Sequence, residues 1–376
     1  MADDRLFSVQ RQEHLLNELR RHGSVRVRRI AAELGVSELT VRRDIAALAE
    51  RNLVAKVHGG ATLPHHARPV PAPNRRQNQF TIGMVVPSLD FYWPQIVAGA
   101  RAAAAALGVT IQLRGSSYDP EEDRRQISRL VEAQQVNGLL LAPNLDHDGD
   151  GGGDGGLEND MVDWIGRLPV PTILVERQPQ RWTDTPRQIE CVRSDHALGL
   201  EIAVHHLYEQ GHRRLGLLLS RGSPTSSYLL RGWRAACADV GIVDSLVVRE
   251  SVGLGTPGHR QIIRDVLADC RRAKITGLIV HSDPDAISVA QFCAEQGVAI
   301  PDDLALVSYD DEVAHLAEPA LTAVRPAKNH VGRLAVEVMV SRLLDGERRP
   351  SQRVLVAPEL IVRSSSLSHR PVSVRA

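Results

Sequence analysis

The chain has 376 residues, which at about 150 residues per domain suggests two or three domains rather than one. Hydrophobic residues make up 43% and charged residues 24%, an ordinary globular balance; no run of about 18 apolar residues and no apolar export segment occurs, which argues against a membrane protein and predicts a cytoplasmic location. The formal net charge of zero hides an asymmetry: residues 1–80 carry 14 Lys and Arg against 8 Asp and Glu, a net +6, so the remainder carries −6. A basic head on an acidic body fits a nucleic-acid binder with a separate regulatory part.

In chain order, residues 9–21 place Leu15, Leu16 and Leu19 on one helical face, with Gly23 as the stop. A second helix is predicted over 27–34 from Val27, Ile30, Ala31 and Leu34; Arg26 stands where a small polar cap is expected. After the turn Gly35-Val36-Ser37 comes the stretch SELTVRRDIAALAER, residues 37–51. Ser37 is its predicted N-cap, and Val41, Ile45 and Leu48 form its core stripe. Leu39, Arg43, Ala46 and Glu50 then project outward, flanked by Thr40 and Arg42. Arg can reach guanine edges in a major groove, Thr or Leu a thymine methyl, and the other cations phosphate. Short strands at 53–57 and 61–63 around His58-Gly59-Gly60 predict a wing whose amides meet the DNA backbone.

The segment LGVSELTVRRDIAALAERNLVAKVHGGA, residues 34–61, resembles the signature of the DeoR family of bacterial transcription regulators, a winged helix-turn-helix. The resemblance covers about 55 residues and joins the turn, the paired Arg42 and Arg43, Asp44 and the wing glycines in order. It implies double-stranded operator DNA as partner, contacted by Ser37, Leu39, Thr40, Arg42, Arg43 and His58. The domains expected are a head at 1–63, a Pro-rich extended linker at 64–79, a body at 80–365 and a tail at 366–376.

From Phe80 strand and helix patterns alternate. Strands are predicted at 81–86, 109–113, 138–142, 172–175, 189–193, 215–219, 246–250, 277–280 and 304–309, with helices between them, which gives two successive parallel-sheet lobes of an α/β fold. Polar groups at the carboxyl ends of these strands should face a crevice. The four cysteines, Cys191, Cys237, Cys270 and Cys293, are isolated and are expected to be reduced core residues.

The body resembles the LacI family and periplasmic sugar-binding proteins over residues 80–365. Carrying the resemblance are IGMVVPS at 82–88, HHLYEQGHRRLGLLL at 205–219, IPDDLALVSYDDEVAHLAEPALTAVRP at 300–326 and VAPELIVRSS at 356–365. It implies a two-lobed, type I periplasmic-binding-protein-like domain whose chain crosses between lobes three times, with the helix at 331–344 returning to the first lobe. It also implies a carbohydrate effector and a homodimer. Tyr92 and Trp93 match an aromatic pair suited to the C–H face of a sugar, or else they are core. Asp90 is a hydroxyl acceptor beside them, and Arg177 matches a ligand-contacting Arg. Asp283 and Asp310 match acidic contacts, although a capping or turn role for Asp283 is equally open. Where the family places an Arg three residues before Gly232, this chain has Leu229, which predicts a less polar effector or a different pose.

Residues 146–156 begin like a calcium loop with Asp146, Asp148 and Asp150, yet the twelfth position is Leu157 instead of Glu; a flexible insertion and no metal are expected. No nucleophile elbow, Walker loop or zinc helix occurs, so neither cofactor nor catalytic residue is expected. Competing readings are a sugar-metabolising enzyme with an accessory DNA-binding head, a transcriptional activator and a transporter's solute receptor.

Overall fold

The computed structural model describes residues 11–12, 14–16, 18–19, 24–50, 54–57, 59–62, 80–133, 135–145, 156–179, 189–242 and 247–367. The expected linker, the acidic insertion at 146–155 and the tail beyond Leu367 lie outside them. The chain divides into two compact units, Met1–Gln77 and Asn78–Ala376.

In the first unit, α1 comprises the described residues between 11 and 19, followed by β1 (Ser24–Arg26), α2 (Val27–Glu33), α3 (Glu38–Glu50), β2 (Ala55–Val57) and β3 (Gly60–Thr62). The helices converge on Leu15, Leu19, Val27, Ile30, Val41, Ile45 and Leu48. Arg26 makes no side-chain cap to α2. At the far end of α2, Gly35 takes φ +62° and Val36 N–H returns to Ala31 O at 3.0 Å, so a left-handed glycine closes the helix and turns the chain toward α3. One strand was not expected. β1 pairs antiparallel with β3, which also pairs with β2, making a three-stranded sheet. Three residues are too few to show a period-two pattern, and what fixes the pairing is remote: a Cβ on Gly60 would lie 1.9 Å from Val25 O.

In the second unit, the first sheet is built from β4 (Thr81–Val86), β5 (Thr110–Gly115), β6 (Gly138–Leu141), β7 (Thr172–Val175), β8 (Glu190–Ser194) and, from near the chain's end, β14 (Arg353–Val356). Its order is β14-β8-β7-β6-β4-β5, all parallel. Helices α4 (Tyr92–Leu107), α5 (Pro120–Ala133), α6 (Gly156–Gly166) and α11 (Lys328–Asp345) belong to this lobe. The second sheet contains β9 (Leu215–Ser220), β10 (Val247–Ser251), β11 (Gly277–Val280), β12 (Ala305–Tyr309), β13 (Thr322–Arg325) and β15 (Glu359–Ile361), in the order β10-β9-β11-β12-β13-β15. Only β15 is antiparallel among its pairings. Around it lie α7 (His196–Glu209), α8 (Ser226–Asp239), α9 (His259–Ala273) and α10 (Asp283–Glu295).

Each sheet is apolar on both faces, which is why strands such as TIGMVV and GLIV are nearly continuous hydrophobic runs. Both sheets share a doubly wound order in which the strand sequence reverses between the first and third strands, and a crevice opens there at the carboxyl ends. The chain passes between lobes after β8, after β13 and between β14 and β15. α11 does pack in the first lobe, its Val331, Ala335, Val336 and Met339 joining Ile96 and Ala100 of α4 in one core. Strands β13, β14 and β15 were not anticipated; RVLV and ELI are short, and only their pairing partners define them as strands.

The α4 and α11 backbones approach so closely that a Cβ on Gly332 would sit 1.9 Å from Ile96 O, and one on Gly99 the same distance from Asn329 O. Backbone cannot yield as a side chain can. Gly332→Ala is therefore expected to lower the unfolding free energy by about 1–3 kcal/mol in urea titrations.

Candidate functional site

The first unit presents one face of α3. Ser37 caps it, its Oγ accepting Thr40 N–H at 3.2 Å and lying 2.9 Å from Thr40 Oγ1. Opposite the buried Val41, Ile45 and Leu48, Leu39 is 59% exposed and Arg42 and Arg43 point to solvent. Glu38 lies 3.6 Å from Arg42 NH2 and 3.4 Å from the Nε of Arg28, an exposed cation that sequence reasoning passed over. Asp44 faces inward: it is 5% exposed and accepts Arg11 Nε at 2.8 Å, tying α1 to α3. Arg43 thereby keeps the outward face. His58 is outside the described residues.

The second unit brings its expected ligand residues to the crevice with unequal roles. Tyr92, the first residue of α4, is partly buried; its hydroxyl donates to Glu176 Oε1 at 3.0 Å and Lys328 Nζ lies 5.1 Å from its ring centre. Trp93 is only 3% exposed and belongs to the first-lobe core, with Nε1 3.4 Å from Tyr118 Oη. Arg177 is 5% exposed, donates to Pro143 O and Glu176 O at 3.0 and 2.8 Å, and lies 5.6 Å over the Trp93 ring. Asp90 is exposed at the rim.

Asp283 takes the turn-building role, one of the two its sequence position left open. It is 1% exposed, and its carboxylate accepts the Ser308 hydroxyl together with the backbone N–H groups of Glu312, Val313 and Ala314 at 2.6, 2.9 and 3.2 Å. Three of those donors meet on Oδ2 and Ser308 occupies Oδ1, so Asp283 builds the loop after β12. Leu229 is fully buried in the second-lobe core with Trp233.

Sequence reading missed the centre of the crevice. Glu176 accepts Ser194 N–H at 3.0 Å, Ser194 Oγ at 2.8 Å and Tyr92 Oη at 3.0 Å, and its Oε2 lies 3.2 Å from His196 Nε2. Burial alone would raise its pKa, but the hydrogen bonds from His196 and Ser194 outweigh it and hold the carboxyl below its ordinary value. The other ring nitrogen of His196 lies 2.9 Å from Tyr309 Oη. The only clue in the sequence was Glu176 standing beside Arg177 at a strand end.

Asp310 follows Tyr309 with φ +103°, Asp311 has +50°, and Glu176 and Phe91 have +56° and +49°. Left-handed backbone at non-glycine residues costs on the order of 1–3 kcal/mol each, and four such residues fall at this crevice. Burial first, then the charges of Asp283, Glu312 and Glu176, push the Asp310 carboxyl up to about 7 against the pull of Lys328. His281 Nε2 is 3.8 Å from Asp310 Oδ2, yet burial pushes the imidazole down to about 3. At neutral pH this is a neutral ring beside a half-ionised carboxyl, not an ion pair. A cavity of about 550 Å³ lies elsewhere, at the amino ends of β7 and β8, lined by Leu168, Val170, Glu190 and Arg349 among others; none of the expected ligand residues lines it.

Residues 11–67 match the DeoR-like helix-turn-helix domain and residues 204–366 the periplasmic binding protein-like domain. Similar curated proteins include the arabinose metabolism transcriptional repressor of Geobacillus stearothermophilus, 23% identical over 90% of this chain and 89% of the relative. The ribose operon repressor of Escherichia coli K12 is 26% identical over 90% and 98%. Among solved structures, the CelR–cellobiose complex aligns with a TM-score of 0.63 at 24% identity, covering 87% of this chain and 90% of that one. A LacI family regulator of Enterococcus faecium with bound ribose aligns at 0.59 and 17% identity, covering 76% and 98%. The class is therefore a transcription regulator, not an enzyme, with a DNA-binding head and a ligand-binding body. More particularly, the chain joins a DeoR-like helix-turn-helix domain to a periplasmic-binding-protein-like body.

Asp310 gives this site a pH signature. Its folded pKa of about 7 lies above the ordinary value of about 4, so the folded state binds the extra proton between those limits and loses stability as pH rises through them. Asp310→Asn, neutral throughout, should flatten that slope, with the variant gaining on the parent by up to a few kcal/mol between pH 4 and pH 7 in urea titrations. Parallel profiles would show that Asp310 titrates normally.

Proposed function

We propose that the chain is a cytoplasmic repressor that binds operator DNA as a homodimer and changes its operator affinity when a sugar occupies the interlobe crevice. One observation carries the reading: a capped helix exposing Leu39 and Arg43 occurs in the same chain as a crevice floored by Tyr92 and Asp310. Ser37, Leu39, Thr40, Arg42, Arg43 and His58 are assigned to DNA. Tyr92, Asp310, Arg177 and Asp90 are assigned to the sugar, with Trp93 supporting Arg177 from behind. Relatives named for ribose and arabinose operons, and neighbours solved with ribose and cellobiose, support that ligand class. Two-fold operators read by paired helices favour a dimer.

Charge narrows the ligand further. Among the described residues, the crevice cations Arg177, Arg193 and Lys328 all donate to acceptors of the protein itself: Pro143 O and Glu176 O, Gln178 Oε1 and Ser194 O, and Asp310 O and Glu312 Oε1 respectively. With Glu176, Asp310 and Glu312 close by, an uncharged sugar fits better than a sugar phosphate.

Calorimetry against free pentoses and hexoses, followed by operator binding with each, tests the proposal. Arg43→Ala should weaken specific operator binding by about 1–3 kcal/mol while leaving sugar affinity unchanged. Phosphorylated forms of an active sugar should bind at least about tenfold more weakly. A normal footprint for Arg43→Ala, or tighter binding of the phosphate, would overturn the respective assignment.

A further inference from the structure

The first passage between lobes runs through Ser194, Asp195 and His196, from the end of β8 to the start of α7. His196 is 3% exposed and touches both lobes through different nitrogens. Nε2 faces Glu176, at the end of β7 in the first lobe, at 3.2 Å; Nδ1 faces the Tyr309 hydroxyl, at the end of β12 in the second, at 2.9 Å. Glu176 in turn holds the Tyr92 hydroxyl at 3.0 Å.

We propose that His196 is the positioning residue that couples the lobes, joining the crevice-facing Tyr92 of the first lobe, by way of Glu176, to Tyr309 of the second. Glu176, ionised, can only accept, so His196 presents an N–H to it from Nε2, while Nδ1 lies within hydrogen-bond distance of the Tyr309 hydroxyl. Both phenols are raised well above their ordinary value, by burial first and by nearby carboxylate charge next, and so remain donors. One carboxylate is therefore reached from both lobes: from Tyr309 by way of His196, and from Tyr92 directly.

The second passage, from β13 to α11, ends at the same tyrosine. Lys328 opens α11, is 2% exposed, contacts Asp310 O and Glu312, and lies over the Tyr92 ring. Tyr92 is thus held at its hydroxyl through one crossing and at its face by the other. A ligand that displaces Tyr92 must disturb the chain that joins it to β12, and the next residue of that strand end is Asp310. Tyr228 packs against His196 with ring centres 6.4 Å apart and an interplanar angle of 30°, so the imidazole cannot swing away without unstacking.

Two conservative variants separate this coupling from simple packing. Tyr309→Phe removes one hydroxyl and keeps the buried ring. His196→Gln can keep an N–H for Glu176 but has no polar atom at the Nδ1 position that faces Tyr309. In full-length protein, spin labels at Glu121→Cys and Leu254→Cys, exposed positions on opposite lobes, report the interlobe distance without any ligand, the native cysteines being buried. Both variants should broaden that distance distribution to about twice the parental width, while the urea midpoint of Tyr309→Phe moves little. An unchanged width in Tyr309→Phe would overturn the proposal.

A second arm rests on the sugar-controlled reading above and uses ribose, arabinose and cellobiose as probes. For a sugar that shifts operator affinity in the parent, Tyr309→Phe should bind it within about threefold of the parent while the operator shift shrinks about tenfold. Equal losses in sugar affinity and operator response would mark a structural role only and count against the coupling. If no probe acts on the parent, the sugar reading fails, and the distance measurement still decides the role of His196.

Discussion

Glu176 is the residue on which the body's arrangement turns. An unpaired buried carboxylate would carry a penalty of many kcal/mol, and this one is stable only because donors from three separate elements converge on it: Tyr92 of α4, Ser194 of β8 and His196 of α7. None of the three could supply its hydrogen bond if the first sheet and the first interlobe passage were not in register. The hydrophobic cores bring the elements within range; the carboxylate fixes how they meet. Its left-handed backbone, at φ +56°, is the local strain accepted in return.

The neighbouring acids show how environment divides labour among chemically identical groups. Asp310 and Asp311 are adjacent in sequence and opposite in character. Asp311 is held below its ordinary pKa: burial raises it, but hydrogen bonds and charge from Arg363 and Arg325, at 2.7 and 2.5 Å, more than compensate. Asp310 has Lys328 to oppose its burial, but the charges of Asp283, Glu312 and Glu176 add to the rise. Asp311 and Asp283 therefore secure the loop around them, and Asp310 is the acid of that loop whose proton can respond to what enters the crevice.

Much of this architecture was legible in the sequence because its signals are local. Continuous apolar runs such as GLIV, bounded by helical patterns, identify buried parallel strands, and the Ser37 cap with the Val41, Ile45, Leu48 stripe places α3 to within a residue. Strands β1, β13, β14 and β15 were not legible, since three or four residues acquire strand character from partners far away in the chain. The same reason hid His196 and Tyr309, 113 residues apart, whose roles exist only through each other. Asp283, whose ligand and turn roles the sequence left equally open, shows the converse limit. A motif identified an acid at a strand end but not which way its oxygens faced, and backbone N–H groups from residues 312–314 had already claimed them.

The contact of α4 with α11 at Gly99 and Gly332 has a consequence for synthesis. The amino-terminal lobe is sealed by a helix and an edge strand encoded more than 200 residues later, so a nascent chain emerging from the ribosome carries that lobe with one greasy flank open until almost the whole polypeptide has been made. A premature stop anywhere before Lys328 would leave both halves of the clamshell unfinished at once.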